Sequence, residues 1–489
     1  MKNLILFLSG IFISFLTVSQ DDTAAKIQAT FHSISSHDLL GYATELSSEK
    51  YKGRLSGSPE YLEAAEWVAK KFEKWGIKPA NNGSYFQYFN NPYTEVYSTG
   101  KVVWHGKTGS GINEELIFPE EFFPGSNSAS GEVTGEMVYV GFGITAPELG
   151  WNDYAGVDVE GKIVVMETGL PYTKNNPVLA DWTPYAYHRY KFKNAKNHGA
   201  TGLLYVSKIA NPNTSHQKNF IYAHIDMPVA KLMFSVSGKN YQDHKKSLTA
   251  EFKPNSFEMG QSVTISAETQ HFPDTKACNV VGMIEGTEPD LKDEVIILGG
   301  HLDGQGYLGE LFPGALDNAS GVADILAAAK ALAESEIKPK RPVLFILFGG
   351  EECGLYGSEY YVKNPLFPAE KAVCMVNLDM VGNGTGFYLA NGLSYPGLYK
   401  YLTTANDKWL HRDMRASEQR KNYGRPRSDA SHFENAGYPT FSLYTSRSVK
   451  PVYYHQPFDD IHALTPEIME DAAKLLYLSV LEIANGNFD

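Results

Sequence analysis

The sequence predicts an α/β protein, a mixed sheet flanked by helices and interrupted by a β-rich insert. Three observations lead there. In the last third of the chain, continuous apolar runs of strand length alternate with helical segments, the pattern of a sheet covered on both faces. Between about Val102 and Phe272 the texture changes to short β-rich runs punctuated by Gly and Pro, which marks a separate compact unit. The chain of 489 residues is long enough for two or three domains at roughly 150 residues each.

The elements follow in order. Lys2, the apolar run Leu4 to Leu16 and the small residues Thr17-Val18-Ser19 read as a secretory signal with a cut near Gln20. That run is short of the ~20 residues a membrane span needs, and Asp21-Asp22 follows at once. Ser36 to Pro79 then carries two helices: Leu39, Leu40, Tyr42 and Leu46 keep a helical period, Gly53, Gly57 and Pro59 break it, and Tyr61 to Trp75 resumes it until Gly76. In the insert, strands are expected at Glu136–Val140, Lys162–Met166, Gly202–Val206 and Val263–Ala267, with a short helix at Tyr190–His198. The last third reads as strands at Glu294–Gly299, Pro342–Phe348, Ala372–Leu378 and Thr440–Tyr444, with helices at Ser320–Ala333 and Pro466–Ala484. The expected organisation is a signal at 1–19, a first part of the main domain at 20–109, the insert at 110–270 and the rest of the main domain at 271–489.

Composition narrows the function. The hydrophobic fraction of 43% and charged fraction of 20% are those of an ordinary globular protein. A net charge of −13, with no basic face in evidence, argues against a nucleic-acid partner. Cys278, Cys353 and Cys374 form neither a disulfide framework nor a CxxC zinc site; each sits in an apolar stretch as a small buried side chain, and a single bridge between two of them stays open.

The chemistry gathers at strand ends. Val295 to Leu298 runs through Gly299-Gly300 into His301-Leu302-Asp303, Val343 to Phe348 runs through Gly349-Gly350 into Glu351-Glu352, and Val373 to Leu378 runs into Asp379. Ligands of open α/β sheets bind beyond the carboxyl ends of the strands. Asp317, in Gly314 to Gly321, and His455, in Tyr454-His455-Gln456-Pro457, add two more positions. Carboxylates gathered at one crest repel one another and each loses several kcal/mol of hydration. These segments contain no Lys or Arg, so divalent cations are the natural counter-charge; the mixture of His and carboxylate suits zinc, with cobalt or manganese as substitutes. Taken singly, His-x-Asp reads as a hydrogen bond, Glu-Glu as a solvated face and Asp317 as a helix cap. Their joint placement at glycine-flanked strand ends is what argues for a site. The patterns Gly141-x-Gly143 and Gly304-x-Gly306 meet Pro147 and Pro313 instead of opening a helix, so neither is a dinucleotide fingerprint. No Gly-x-Ser-x-Gly elbow and no His-Glu-x-x-His occurs.

The segments Gly300 to Asp303, Gly314 to Gly321, Gly349 to Gly357, Asn377 to Gly382 and Tyr454-His455 resemble the M28 family of dinuclear zinc aminopeptidases. The likeness runs in order from Cys278 to the C-terminus, and the opening helices are similar to that family's N-terminal pair. It implies a zinc-aminopeptidase-like fold acting on peptides with a free N-terminus, with two zinc ions per chain. By resemblance, His301 and Asp379 hold one zinc, Glu352 and His455 the other, Asp317 bridges them, and Glu351 is the general acid/base. Asp303 is expected behind His301, fixing its ring, and the Asp317–Asn318 bond is expected to be cis. Tyr454 matches a tyrosine that stabilises the oxyanion in some members, and Tyr423 is a second candidate. The family's Ser-Asp-His segment is Ser428-Asp429-Ala430 here, a departure at the third place. The stretch from Gly141 through Trp151 and Gly161 to Val165, with Ala195 to Leu204, resembles the protease-associated (PA) domain, which implies a lid or contact surface without chemistry. His188, His198 and His224 are accordingly expected to be structural. Related zinc enzymes, a carboxypeptidase type or a one-metal cyclase, and a binding module on a catalytically idle scaffold are the alternatives. The five ligand positions argue against the cyclase, and the retained Glu351 against the idle scaffold.

Overall fold

The computed structural model describes residues 22–107 and 109–486; the expected signal segment lies outside them. Two sheets organise the chain. The larger has nine strands, and its centre is four parallel ones in the order Val343–Phe348, Val295–His301, Ala372–Leu378 and Thr440–Ser446. Lys276–Ile284 adds antiparallel on one side, and Gly386–Ala390 with Asp413–Ala416 extends the other. Every residue of the Val295–His301 and Val343–Phe348 strands is buried, as expected of strands covered on both faces.

One face is covered by helices Ser36–Leu46, Pro59–Lys74, Gly321–Glu334 and Pro466–Asn485, whose apolar sides form the main core around Leu39, Phe72, Leu326 and Leu476. The opposite face carries Tyr356–Lys363 and Asp429–Asn435, with Tyr361 and Phe433 against Phe348 and Met375. Each fully buried large apolar side chain contributes about 1.5–3 kcal/mol relative to exposure. The two N-terminal helices begin where Ser35 and Ser58 accept hydrogen bonds from Asp38 and Tyr61 amides, which satisfies otherwise orphaned N–H groups. Pro59 fits the first turn of the second, two residues before the expected start.

The second sheet has eight strands and two cores of its own. Gly131–Tyr139, Ile163–Glu167, Gly202–Val206 and Ile221–Ile225 run parallel, while Phe257–Ala267 and Lys101–Lys107 join antiparallel. This sheet therefore begins at Lys101, ahead of residue 110. Helices at His188–Asn197, Met227–Val236 and Tyr241–Thr249 make it more helical than its sequence texture indicates. The chain enters and leaves this unit through one antiparallel ribbon, Tyr93–Val96 against Thr269–Phe272. Because entry and exit lie side by side, the unit is accommodated without distorting the larger sheet. Among the described residues, no helix is long and apolar enough to cross a membrane.

Candidate metal centre

Three parallel strands of the larger sheet, Val295–His301, Val343–Phe348 and Ala372–Leu378, end at one crest and deliver His301, Glu351 with Glu352, and Asp379 there. Gly350, with φ +70°, turns the chain at the end of Val343–Phe348; a Cβ at that position would meet Asn91 Oδ1 at 2.7 Å. Asp317 arrives from a different direction. Gly314, with φ +57°, opens the kinked segment Ala315–Ser320, and the Asp317–Asn318 peptide bond is cis, as the resemblance implies. Asn318 is fully buried and ties the parts together. Its Nδ2 donates to the carbonyls of His301 and Leu378, and its Oδ1 accepts from the Gly321 and Met380 amides.

The resulting distances have a simple reading. His301 Nε2 lies 3.2 Å from Asp317 Oδ1 and 3.5 Å from Asp379 Oδ1. His455 Nε2 lies 3.4 Å from Asp317 Oδ2 and 3.1 Å from Glu352 Oε2. A tetrahedral zinc with bonds of about 2.0–2.1 Å sets its ligand atoms about 3.3 Å apart. The donors thus fall into two sets, His301–Asp317–Asp379 and Asp317–Glu352–His455, each within 4.8 Å, and Asp317 offers one oxygen to each. Glu351 joins His301 and Glu352 in a third such group, which places it over the same centre. His455 Nε2 and Glu352 Oε1 are buried without a hydrogen bond, although a carboxylate oxygen is close to that nitrogen. Such atoms suit coordination to a shared ion better than bonding to each other.

Electrostatics agrees with the geometry. Burial pushes Asp303, Asp429 and Asp459 up to about 7, and pushes Glu351 well above the usual carboxylate range. Burial alone would lower the imidazoles, but Asp317 and Asp379 hold His301 well above its ordinary value. His455, beside Glu352 and Asp317, is held up to about 10 against the same burial. The crest has an excess of negative charge that pulls protons onto its histidines, and divalent cations would relieve the same excess. The donor set therefore fits two zinc ions.

Several expectations change in detail. Asp303 does sit behind His301, but the ring's Nδ1 donates to its backbone carbonyl at 3.1 Å. Its carboxylate instead accepts the amides of Glu351 and Glu352, both at 3.2 Å, because the turn after Gly350 presents those two N–H groups to it. The crest is also not free of basic groups. Arg54, fully buried, reaches in from between the opening helices and donates to the carbonyls of Leu46, Leu302, Pro313 and Gly314. It buttresses the backbone of two donor segments and brings one positive charge beneath them. Asp459 accepts the amides of Leu316 and Asp317, fixing the bridge position from below.

Tyr454 stacks on the His455 ring at 3.7 Å and is half-exposed. Tyr423 packs against the core of the second sheet. Tyr444, which the sequence reading passed over, lies in the field of Asp379 and Glu351; burial, then Asp379, raises its hydroxyl well above the ordinary value. His188 and His224 are buried, and hydrogen-bond Asn211 and the Ser207 carbonyl. His198 stacks on Tyr154 at 4.0 Å. None of the three belongs to a metal-type cluster among the described residues. The amides of Phe142 and Ile144, in the first glycine pattern, serve the protein's own Asp153 carboxylate. All three cysteines are buried free thiols.

The second sheet touches the crest directly. In the loop after Gly202–Val206, the Ala210 carbonyl accepts from His455 Nδ1 at 3.0 Å, and the Ala210 amide donates to the His455 carbonyl at 3.1 Å. Gln456 Nε2 donates to the Lys208 carbonyl at 2.8 Å, and the Thr214 amide to the Cys353 carbonyl at 3.1 Å.

Both parts of the chain are similar to known proteins. Residues 279–480 match peptidase family M28, and residues 133–236 match the PA domain. A probable leucine aminopeptidase of Trichophyton verrucosum is 28% identical over 270 residues, spanning 50% of this chain and 73% of that protein. A glutamate carboxypeptidase 2 homolog of Caenorhabditis elegans is 23% identical, spanning 84% of this chain and 63% of its own length. In fold, the chain is similar to a peptidase M28 precursor from Shewanella amazonensis (TM-score 0.64, 19% identity, 97% and 98% of the two chains). It is also similar to a zinc aminopeptidase from Bacillus subtilis (TM-score 0.61, 20% identity, 92% and 95%). Residues 279–480 carry the peptidase family M28 unit of a zinc-dependent hydrolase, and a PA domain lies in the first half of the sequence.

Proposed function

We propose that this protein is an exported aminopeptidase that works with two zinc ions and uses Glu351 as general base. The observation that carries the proposal is the pair of donor sets sharing Asp317, with Glu351 placed over both. His301 and Asp379 would hold one ion, Glu352 and His455 the other, and Asp317 both. When bound, zinc would acidify a water and polarise the scissile carbonyl.

The remaining work falls to side chains. The Glu351 carboxylate, oriented through its own amide by Asp303, takes the proton of the attacking water and passes it to the departing amine. Its half-buried setting among other carboxylates favours the second of these steps, because a carboxyl that holds a proton readily can deliver it to the amine. The hydroxyl of Tyr454, or of Tyr444 on the neighbouring strand, donates to the oxygen of the tetrahedral species. The free α-amine of the substrate would be held beside the ions and their neighbouring carboxylates, which confines cleavage to chain ends.

Peptides free at both ends, acetylated at the N-terminus, or amidated at the C-terminus test the reading. Release of the first residue from free and amidated peptides, with none from acetylated ones, is expected, and chelation should abolish it. Release of the last residue instead would favour a carboxypeptidase, the activity named for the worm relative. Export rests on the charged start and apolar run ahead of Gln20. The mature protein should begin near Gln20, and intact Met1 on soluble protein would contradict it.

A further inference from the structure

The two donor sets differ in what supports them. On the first side, His301 Nδ1 is held by the Asp303 carbonyl, and Asn318 ties the strand ends of His301 and Asp379 together. All of this belongs to the larger sheet and the segments that follow its strands, outside the PA domain. On the second side, His455 Nδ1 is held by the Ala210 carbonyl of the PA domain. A carbonyl can only accept, so Nδ1 carries the hydrogen, and Nε2, on the side of Asp317 and Glu352, is the ring atom left to bind an ion. The same loop bonds the segment just after Glu352, through Thr214 and Cys353, and the residue after His455, through Gln456 and Lys208.

The loop is itself anchored. Asn127, buried in the PA domain, donates from Nδ2 to the carbonyls of Pro212 and Asn213 at 3.0 and 3.1 Å. Its Oδ1 accepts from Thr94, at the ribbon where the chain enters the domain. A continuous set of bonds therefore runs from the entry ribbon through Asn127 and the loop to the ring of His455.

We infer that the PA domain is a working part of the metal centre: its loop 207–214, anchored by Asn127, orients His455 and so sets the zinc affinity of one position of the two. Asn127 is a positioning residue that touches neither metal nor substrate. This inference rests on the two-zinc reading above, and it makes the second position responsive to any movement of the PA domain while leaving the first unaffected.

The experiment titrates zinc into chelator-stripped wild-type enzyme and Asn127→Ala against a competing fluorescent chelator, resolving two stepwise affinities. In wild type, two sites are expected; one site alone would end the two-zinc reading and is distinguishable from failure of the inference. In Asn127→Ala, one affinity should stay at the wild-type value and the other weaken about 10–100-fold, the cost of losing support behind a ligand. The lost turnover should return in excess zinc with KM unchanged. Two unchanged affinities, or two weakened equally, would overturn the inference. Gln456→Leu, which removes the Lys208 bond without disturbing the PA core, supplies the same reading should Asn127→Ala fail to fold: one affinity alone should weaken, and no shift would count against the inference.

Discussion

Inside the PA domain, Glu167 is as buried as the residues of the metal centre, yet its carboxylate takes hydrogen bonds from Lys245 Nζ at 2.8 Å and from the hydroxyls of Tyr241 and Tyr139. Lys191, fully buried nearby, donates to the carbonyls of Glu167 and Gly169. Each charge is answered by its own surroundings. At the crest of the larger sheet the balance is different. Asp303, Asp317, Glu351, Glu352, Asp379, Asp429 and Asp459 converge on two imidazoles and the one guanidinium of Arg54. Buried charge is tolerated where partners complete it, so the first cluster is complete within the protein, and the second is left with an excess of negative charge of the kind a divalent cation offsets. The difference separates a structural network from a functional one better than burial or residue type alone.

The largest effects should come from breaking the crest. Glu351→Gln removes only the proton acceptor, so both zinc ions should stay while turnover falls by about 10²–10⁴-fold. Glu352→Gln should instead shed metal from the His455 side and regain part of its activity as zinc is raised. Rates and metal counts on the two variants are the check, and near-normal turnover of metal-loaded Glu351→Gln would refute the mechanism.

Removing the one cation the crest does own comes next. Arg54→Met leaves the carbonyls of Leu46, Leu302, Pro313 and Gly314 without their donor. Chemical denaturation of the zinc-free protein should show a loss of about 3–5 kcal/mol, the range for breaking a buried charge network. A loss under about 1 kcal/mol would mean that Arg54 does not buttress the donor segments.

At Asp153 the PA domain should respond to pH without any change in metal content. Burial pushes Asp153 up to about 6 from an ordinary 3.8. A folded-state value above the unfolded one means its contribution to stability is full below about 3.8 and fades as pH rises through 6. A shift of about two pH units corresponds to roughly 3 kcal/mol. Asp153→Asn should therefore flatten the dependence of unfolding free energy on pH between about 4 and 6, relative to wild type, with metal content unchanged. An unaltered slope would remove Asp153 from the account.

Much of the crest was legible because it follows from local pattern. Buried apolar strands run through a glycine pair into His301 and into Glu351 and Glu352, and a third runs straight into Asp379, so these could be read from the chain itself, and Asp317 from the glycines around it. Arg54 and Asp459 carried no such signal. Arg54 ends the short 3-10 segment Glu49–Arg54 beside Lys52, Gly53 and Leu55, where a surface reading is natural, and three of its four carbonyl partners lie some 250 residues away. The strand Lys276–Ile284 was passed over because Asn279 and Gly282 interrupt its apolar run. Both have long-range reasons: Asn279 bonds Gln87 and Gly357, and a Cβ at Gly282 would meet Phe72 at 2.6 Å. The contact of Ala210 with His455 joins two backbone groups and a ring across 245 residues, and no residue type announces it.

The claim that the crest is completed by two cations is tested most directly by counting them. Protein stripped by chelation and dialysed against excess zinc should bind two ions per chain, and its unfolding temperature should rise in two saturable steps as they are added back. A maximum of one tightly bound ion, or no stabilisation on binding, would contradict the account.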